Sequence, residues 1–264
     1  GQFAKRQGTS FPLHTDVSLA AIASSGIRGY EPAVTSAAEL SGLGDRLKTH
    51  GLEMRSLYVN STLHDETRSD QSIADVLEIA RIASEMGTRI IVTNPSPIRW
   101  GGPENKTDAQ LAAQAKALDK LGAALRKLGL VLAYHNHDIE LRLGAREFHH
   151  MLTATDPENV KFCLDAHWVY RGCGDSQVAL DDIVAHYFDR VVELHLRQSE
   201  GGVWTEVFAM EGDVDYARLF AFLSAKGIQP LLVLEQAVEA GSPEGLTAVE
   251  AHRKGKDNLL AFLR

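Results

Sequence analysis

Arg126-Lys127-Leu128-Gly129-Leu130-Val131-Leu132-Ala133-Tyr134-His135-Asn136-His137 holds a helix end, a glycine and a β-rich run in twelve residues. Basic residues followed by Gly read as a helix closed in the left-handed conformation, where a residue without Cβ meets no steric penalty. The run that follows is apolar until it turns polar at its far end. Such a run suits a strand buried on both faces, as in a parallel sheet.

The same junction recurs at Ser25-Gly26, His50-Gly51, Met86-Gly87 and Lys226-Gly227. About eight β-rich runs can be counted, near 5–10, 29–34, 53–60, 88–94, 130–137, 160–167, 190–197 and 230–236. Helical stretches are predicted between them at 17–25, 37–50, 72–86, 108–128, 145–153, 177–187, 215–226 and 243–263. Strict alternation of strand and helix points to one α/β unit. The predicted fold is therefore a (β/α)8 barrel, a TIM barrel spanning 1–264 as one domain, and the length of 264 residues suits it. The main rival, an open doubly wound sheet, would carry a Gly-rich phosphate loop after its first strand. Gly101-Gly102 follows the fourth run and lacks that spacing.

Composition narrows the partners. A net charge of −8 argues against nucleic acid, because phosphate binding wants clustered Lys and Arg. With 44% hydrophobic residues the chain can build a sizeable core. No apolar run is long enough for a membrane span. No signal peptide is visible, which points to the cytoplasm, but the chain opens on Gly1-Gln2-Phe3 rather than Met, so export stays open. The two cysteines, Cys163 and Cys173, are too few for a disulfide framework, and Cys163 reads as a buried thiol.

Polar residues gather at the ends of the later runs: His135-Asn136-His137 through Glu140, Asp165-Ala166-His167, His195-Leu196-Arg197 and Glu235-Gln236. In a barrel those ends share one mouth, where barrel active sites lie. Side chains alternate along a strand, so Asp165 pairs in direction with His167, His195 with Arg197, and His135 with His137. Carboxylates this close repel unless a cation neutralises them. A mixture of His, Asp and Glu suits one divalent ion, Mn, Co, Mg or Zn. The bland alternatives are a structural ion pair at Arg197 and a hydrogen bond from His167 to the next loop. Glu31 is a further candidate for the mouth, and Trp100 and Trp204 are candidates for an apolar wall against a sugar face.

These stretches resemble the xylose isomerase-like superfamily, within the broad sugar phosphate isomerase/epimerase group. The resemblance runs through the strand rhythm of nearly the whole chain, and it is specific in the second half. Asp165 in Leu-Asp-Ala-His, His195 in Glu-Leu-His-Leu-Arg and Glu235 in Val-Leu-Glu-Gln match three metal-ligand positions. The first position departs from the pattern: many relatives have Glu-Asn-His where this chain has His135-Asn136-His137. The chain looks like a branch with His-Asn-His-Asp and an acid close behind, which makes Glu140 the expected first ligand and His135 the alternative. Gln198-Ser199, Trp204-Thr205-Glu206 and Gly212-Asp213 are similar to a loop near the substrate in that branch.

What the resemblance implies is a metal-dependent sugar isomerase or epimerase that removes a proton beside a carbonyl through a metal-stabilised enediolate. The expected metal ligands are Glu140, Asp165, His195 and Glu235. Glu235 would double as base, His137 and His167 would act as acid, base or hydroxyl contacts, and Arg197 would hold a substrate oxygen or phosphate. The alternative is a lyase or dehydratase on keto-sugars or keto-inositols, resembling inosose dehydratases or enzymes that cleave 3-keto-glycosides. An apurinic endonuclease and a non-catalytic sugar-binding barrel are weaker readings. Barrels of this kind often dimerise, so a homo-oligomer stays open.

Overall fold

The computed structural model describes residues 2–6, 8 and 12–263. Its main sheet has six parallel strands in the order β1-β2-β3-β4-β5-β8, namely β1 (Ser56–Tyr58), β2 (Ile90–Thr93), β3 (Val131–His135), β4 (Val160–Asp165), β5 (Val191–Leu196) and β8 (Leu231–Leu234). Between the last two lies a small antiparallel hairpin, β6 (Ser199–Glu200) with β7 (Val203–Trp204). Helices return the chain over the outside between strands, as at Ser69–Glu85, Asp108–Lys127 and Gln177–Tyr187. All five junction glycines have positive φ, as predicted. At Gly129 (φ 74°) the amide donates to the carbonyl of Arg126, and Leu130 donates to Leu125, which closes the helix and releases β3.

Two predicted strands differ. The stretch 29–34 lies beside β1 only through the bridges Gly29 to Glu53 and Ala33 to Tyr58. Pro32 has no N–H to give and can only accept, from Tyr58, so a regular ladder cannot run through it. Of the first predicted run, Lys5 and Arg6 are helical, in Gln2–Arg6, whereas Gln7, Thr9 and Ser10 lie outside the described residues. The helix expected over 37–50 is broken: Gly42 (φ 65°) separates a 3-10 turn, Ala37–Leu40, from the helix Leu43–Thr49. The sixth run stops at Asp165, and the chain turns directly into an unpredicted helix, Ala166–Gly172. His167 is therefore helical and not on the strand.

Strand alternation sorts the core into two regions. Leu132, Tyr134, Phe162 and Leu164 face outward and pack with Leu118, Leu121, Leu125 and Phe148 of the surrounding helices. Val92, Ala133 and Cys163 form a smaller cluster inside the curl. Parallel register then carries the inward positions upward: His135 lies beside Cys163, Cys163 beside Glu193, and Asp165 beside His195. Cys163 is a free, buried thiol, and Cys173 is also unpaired. No helix among the described residues is long and apolar enough to cross a membrane.

Gly122 shows how closely the helical layer sits. A Cβ there would overlap the backbone carbonyl of Asn159, at the turn leading into β4. Gly122→Ala, which should favour an exposed helix by about 1 kcal/mol, is expected here to destabilise by about 1–3 kcal/mol through overpacking. Denaturant melts of the two proteins measure the sign.

Candidate metal centre and its pocket

The carboxyl ends of β3, β4, β5 and β8 converge. His135, Asp165, His195 and Glu235 each present a ligand atom within 4.8 Å of the others. His135 and Asp165 close their strands, and Asp165 also caps the following helix, its Oδ1 accepting from the Trp168 amide at 2.9 Å. That cap holds one carboxylate oxygen and leaves Oδ2 facing the group, 3.9 Å from His135 Nε2. Glu235 follows β8, where its amide bonds to Leu196 of β5. His195 Nδ1 is 2.8 Å from Glu235 Oε2.

Charge balance distinguishes this cluster from ordinary ion pairing. On one side of His195, its Nε2 lies 3.2 Å from both Glu31 and Glu193. Burial and then the facing Glu31 carboxyl lift Glu193 to about 8, which keeps its carboxyl protonated at neutral pH. On the other side, the Arg197 guanidinium is 3.0 Å from Asp165 and 2.6 Å from Glu235. Burial raises Asp165 to about 6 even with Arg197 pulling against it. One guanidinium thus answers two carboxylates in a site where Asp165 is fully buried. Both ring nitrogens of His135, 1% exposed, have no hydrogen-bond partner. A buried polar atom without a partner is costly. Two imidazoles and two carboxylates form a donor set that suits a divalent first-row ion or Mg.

Glu140, the expected first ligand, does not join this group. The chain makes a 3-10 turn after β3, at Ile139–Leu141, and swings the carboxylate behind the strand end. There Oε2 accepts from the His137 amide at 2.7 Å and Oε1 from Asn94 Nδ2 at 3.2 Å. Asn94 also donates to the His135 carbonyl. Glu140 therefore braces the His135-Asn136-His137 segment, and it is His135, the alternative, that lies within reach of Asp165, His195 and Glu235. His137 stands at the mouth between Trp100 and Trp168, with ring centroids 5.1 Å and 5.8 Å away. Burial lowers it to about 4, leaving a neutral imidazole. His167 is set aside from the group: its Nε2 meets Ser199 Oγ at 2.8 Å, and that hydroxyl donates to Asp213 at 2.6 Å. Burial, reinforced by Arg171, holds His167 to about 3. Glu193 and Trp168 were not singled out in the sequence. Glu193 was readable, since it lies two residues before His195 and must share its face.

A barrel built this way has relatives. The xylose isomerase-like TIM barrel family matches residues 19–256. The chain belongs to that family. Among curated relatives, this xylose isomerase-like barrel is 23% identical to the inosose dehydratase of Clostridium perfringens, over 91% of the chain and 89% of the relative. Among solved structures, a sugar phosphate isomerase/epimerase from Parabacteroides distasonis superposes with a TM-score of 0.73 at 18% identity, covering 95% of this chain and 90% of that one. The 3-keto-D-glucoside 4-epimerase of E. coli gives 0.67 at 17% identity, over 96% and 95%. A xylose isomerase-like TIM barrel protein from Mycobacterium smegmatis, in complex with magnesium, gives 0.70 at 14% identity, over 94% and 87%.

The bracing acid yields a pH test. Burial, then the neighbouring Glu147, raises Glu140 to about 7. A carboxyl whose pKa is higher folded than unfolded binds its proton more tightly when folded. Its stabilising contribution is complete below the unfolded value of about 4.5 and is lost as pH rises through about 7. Glu140→Gln removes this dependence. Relative to the parent, the variant is expected to gain on the order of 3 kcal/mol between pH 4.5 and pH 8. Denaturant titrations at both pH values check this, and a constant difference would refute it.

Proposed function

We propose that this xylose isomerase-like barrel is a metal-dependent enzyme that removes the proton from the carbon beside a carbonyl in a sugar or keto-sugar. His135, Asp165, His195 and Glu235 are its metal ligands in this reading. The observation that carries it is the convergence of these four donors around His135, whose two ring nitrogens are buried and unpartnered. A divalent ion held there supplies a Lewis acid that polarises the carbonyl and disperses the negative charge left by proton loss.

The surrounding side chains divide the remaining work. Glu235 is 45% exposed at the mouth, and its Oε2 is fixed by His195 and Arg197. That leaves Oε1 to take the proton, oriented before substrate arrives. Arg197 positions Asp165 and Glu235, and its unpartnered Nε is a donor for a substrate oxygen. His137, neutral and also unpartnered at Nδ1, is a hydroxyl contact. His167 is oriented by Ser199 and Asp213 and faces the hairpin side of the pocket.

Return of the proton to the neighbouring carbon or to the opposite face makes the enzyme an isomerase or epimerase, the first reading. The second is a lyase or dehydratase, in which a β-substituent leaves after the proton. Two observations favour keeping it: the likeness to inosose dehydratase, and a histidine at 135, where a carboxylate could have served as a second base. A small uncharged or weakly charged substrate fits both readings.

Two experiments test the proposal. Incubation of the Mn-loaded protein with ketoses and 3-keto-sugars in heavy water should place deuterium on the carbon next to the carbonyl, and NMR of the products separates isomerase from lyase. Glu235→Gln should slow this exchange by at least about 100-fold while leaving the far-UV circular dichroism unchanged; undiminished exchange removes Glu235 from its role. Calorimetric titration with Mn should show a larger loss of affinity in His135→Ala than in Glu140→Gln, whose bracing role is worth about 10–100-fold. The reverse order would put Glu140 among the ligands.

A further inference from the structure

Inside the curl of the sheet, β4 carries a thiol that the proposed proton transfer does not use. Cys163 lies two residues before Asp165, so both side chains point inward, with Cys163 one step deeper. It is fully buried and forms no disulfide. Its neighbour across the ladder is His135 on β3 and Glu193 on β5, and its Sγ lies 3.8 Å from Glu193 Oε1. His135, Cys163 and His195 each present a ligand atom within 4.8 Å of the others.

A thiol packed with Val92 and Ala133 can serve simply as a small apolar residue. What sets this one apart is the pair of imidazoles beside it. Both ring nitrogens of His135 are buried and unpartnered, and an ion held with Asp165 and Glu235 takes one of them. The same two histidines therefore belong to two donor sets, with Asp165 and Glu235 toward the mouth and with Cys163 toward the interior. The two sets differ in chemistry. Carboxylate oxygens suit Mg or Mn, whereas thiolate sulfur with imidazole suits a softer ion. A buried thiol keeps its proton, so only an ion with high affinity for sulfur displaces it. Binding then forms a metal–sulfur bond and releases the thiol proton to solvent.

We propose that Cys163, His135 and His195 form a second, inner seat for a soft divalent ion, Zn or Cd, and that the shared imidazoles prevent both seats from being filled together. An ion on the inner seat withdraws the two histidines from Asp165 and Glu235, so it inhibits the proton transfer. This rests on the reading of His135 and His195 as metal ligands.

Titration with Cd tests it, because a Cd–thiolate bond has its own ultraviolet charge-transfer band. The chain has two cysteines, so in Cys173→Ser the band reports Cys163 alone. In that protein one equivalent of Cd is expected to raise the band and to release bound Mn, read from the EPR signal of the free ion. Cys163→Ala should lose the band and bind Cd at least about tenfold more weakly, while still binding Mn. A Cd complex of Cys173→Ser without the band, a band that survives Cys163→Ala, or Cd and Mn bound together overturns the inner seat and leaves the outer centre standing. Binding of neither Mn nor Cd to the unaltered protein overturns the reading of the histidines as ligands, and the inner seat with it.

Discussion

Neighbouring parallel strands deliver acidic side chains to one desolvated space, and the rest of the site follows from keeping that space neutral enough to exist. Asp165 and Glu193 are fully buried, and His195 lies between them and Glu235. Carboxylates removed from water cannot share such a volume without protons or cations. The protein meets this with three devices. Glu193 keeps its proton beside Glu31, one guanidinium bridges Asp165 and Glu235, and the His195 imidazole lies between Glu193 and Glu235.

That constraint also explains why the supporting residues are so extensively bonded. Asn94 and Glu140 tie the segment after β3, the Trp168 amide holds Asp165, and the chain Asp213–Ser199–His167 anchors the hairpin against the helix after β4. Side chains that must keep charge at fixed distances need rotamers locked by neighbours. The aromatic wall differs in kind. Trp100 sits on a loop, exposed, with its donor-bearing neighbours Trp168 and Trp204 farther in. The end of the pocket at the strand ends is thus charged and closely hydrogen-bonded, and the outer end is aromatic.

Much of the fold was legible along the chain. The helix–glycine–strand junctions at Gly51, Gly87, Gly129 and Gly227 read correctly, because left-handed helix closure and two-sided burial of the next strand are both local signals. The stretch 29–34 misled because composition marks a β-rich run whether or not every residue can complete a ladder, and Pro32 cannot. At 165–167 the period-2 reading failed for a related reason. Asp165 serves as a strand end and a helix cap at once, and after such a residue the direction of side chains changes period.

By itself, then, the sequence determined the alternation of strands and helices, the shared inward face of Glu193, His195 and Arg197, and the family to which the chain belongs. These depend on spacing within single elements, which the order of residues fixes. Only the tertiary structure decided that His135 stands with Asp165, His195 and Glu235 while Glu140 turns behind the strand. It also decided that Arg197 spends its charge on two carboxylates, and that tryptophans from a loop, a helix and a hairpin strand lie side by side around His137 and Arg197. Those facts are distances between residues tens of positions apart. They are set by strand register, by the curl of the sheet and by where each loop packs, and no local pattern carries that information.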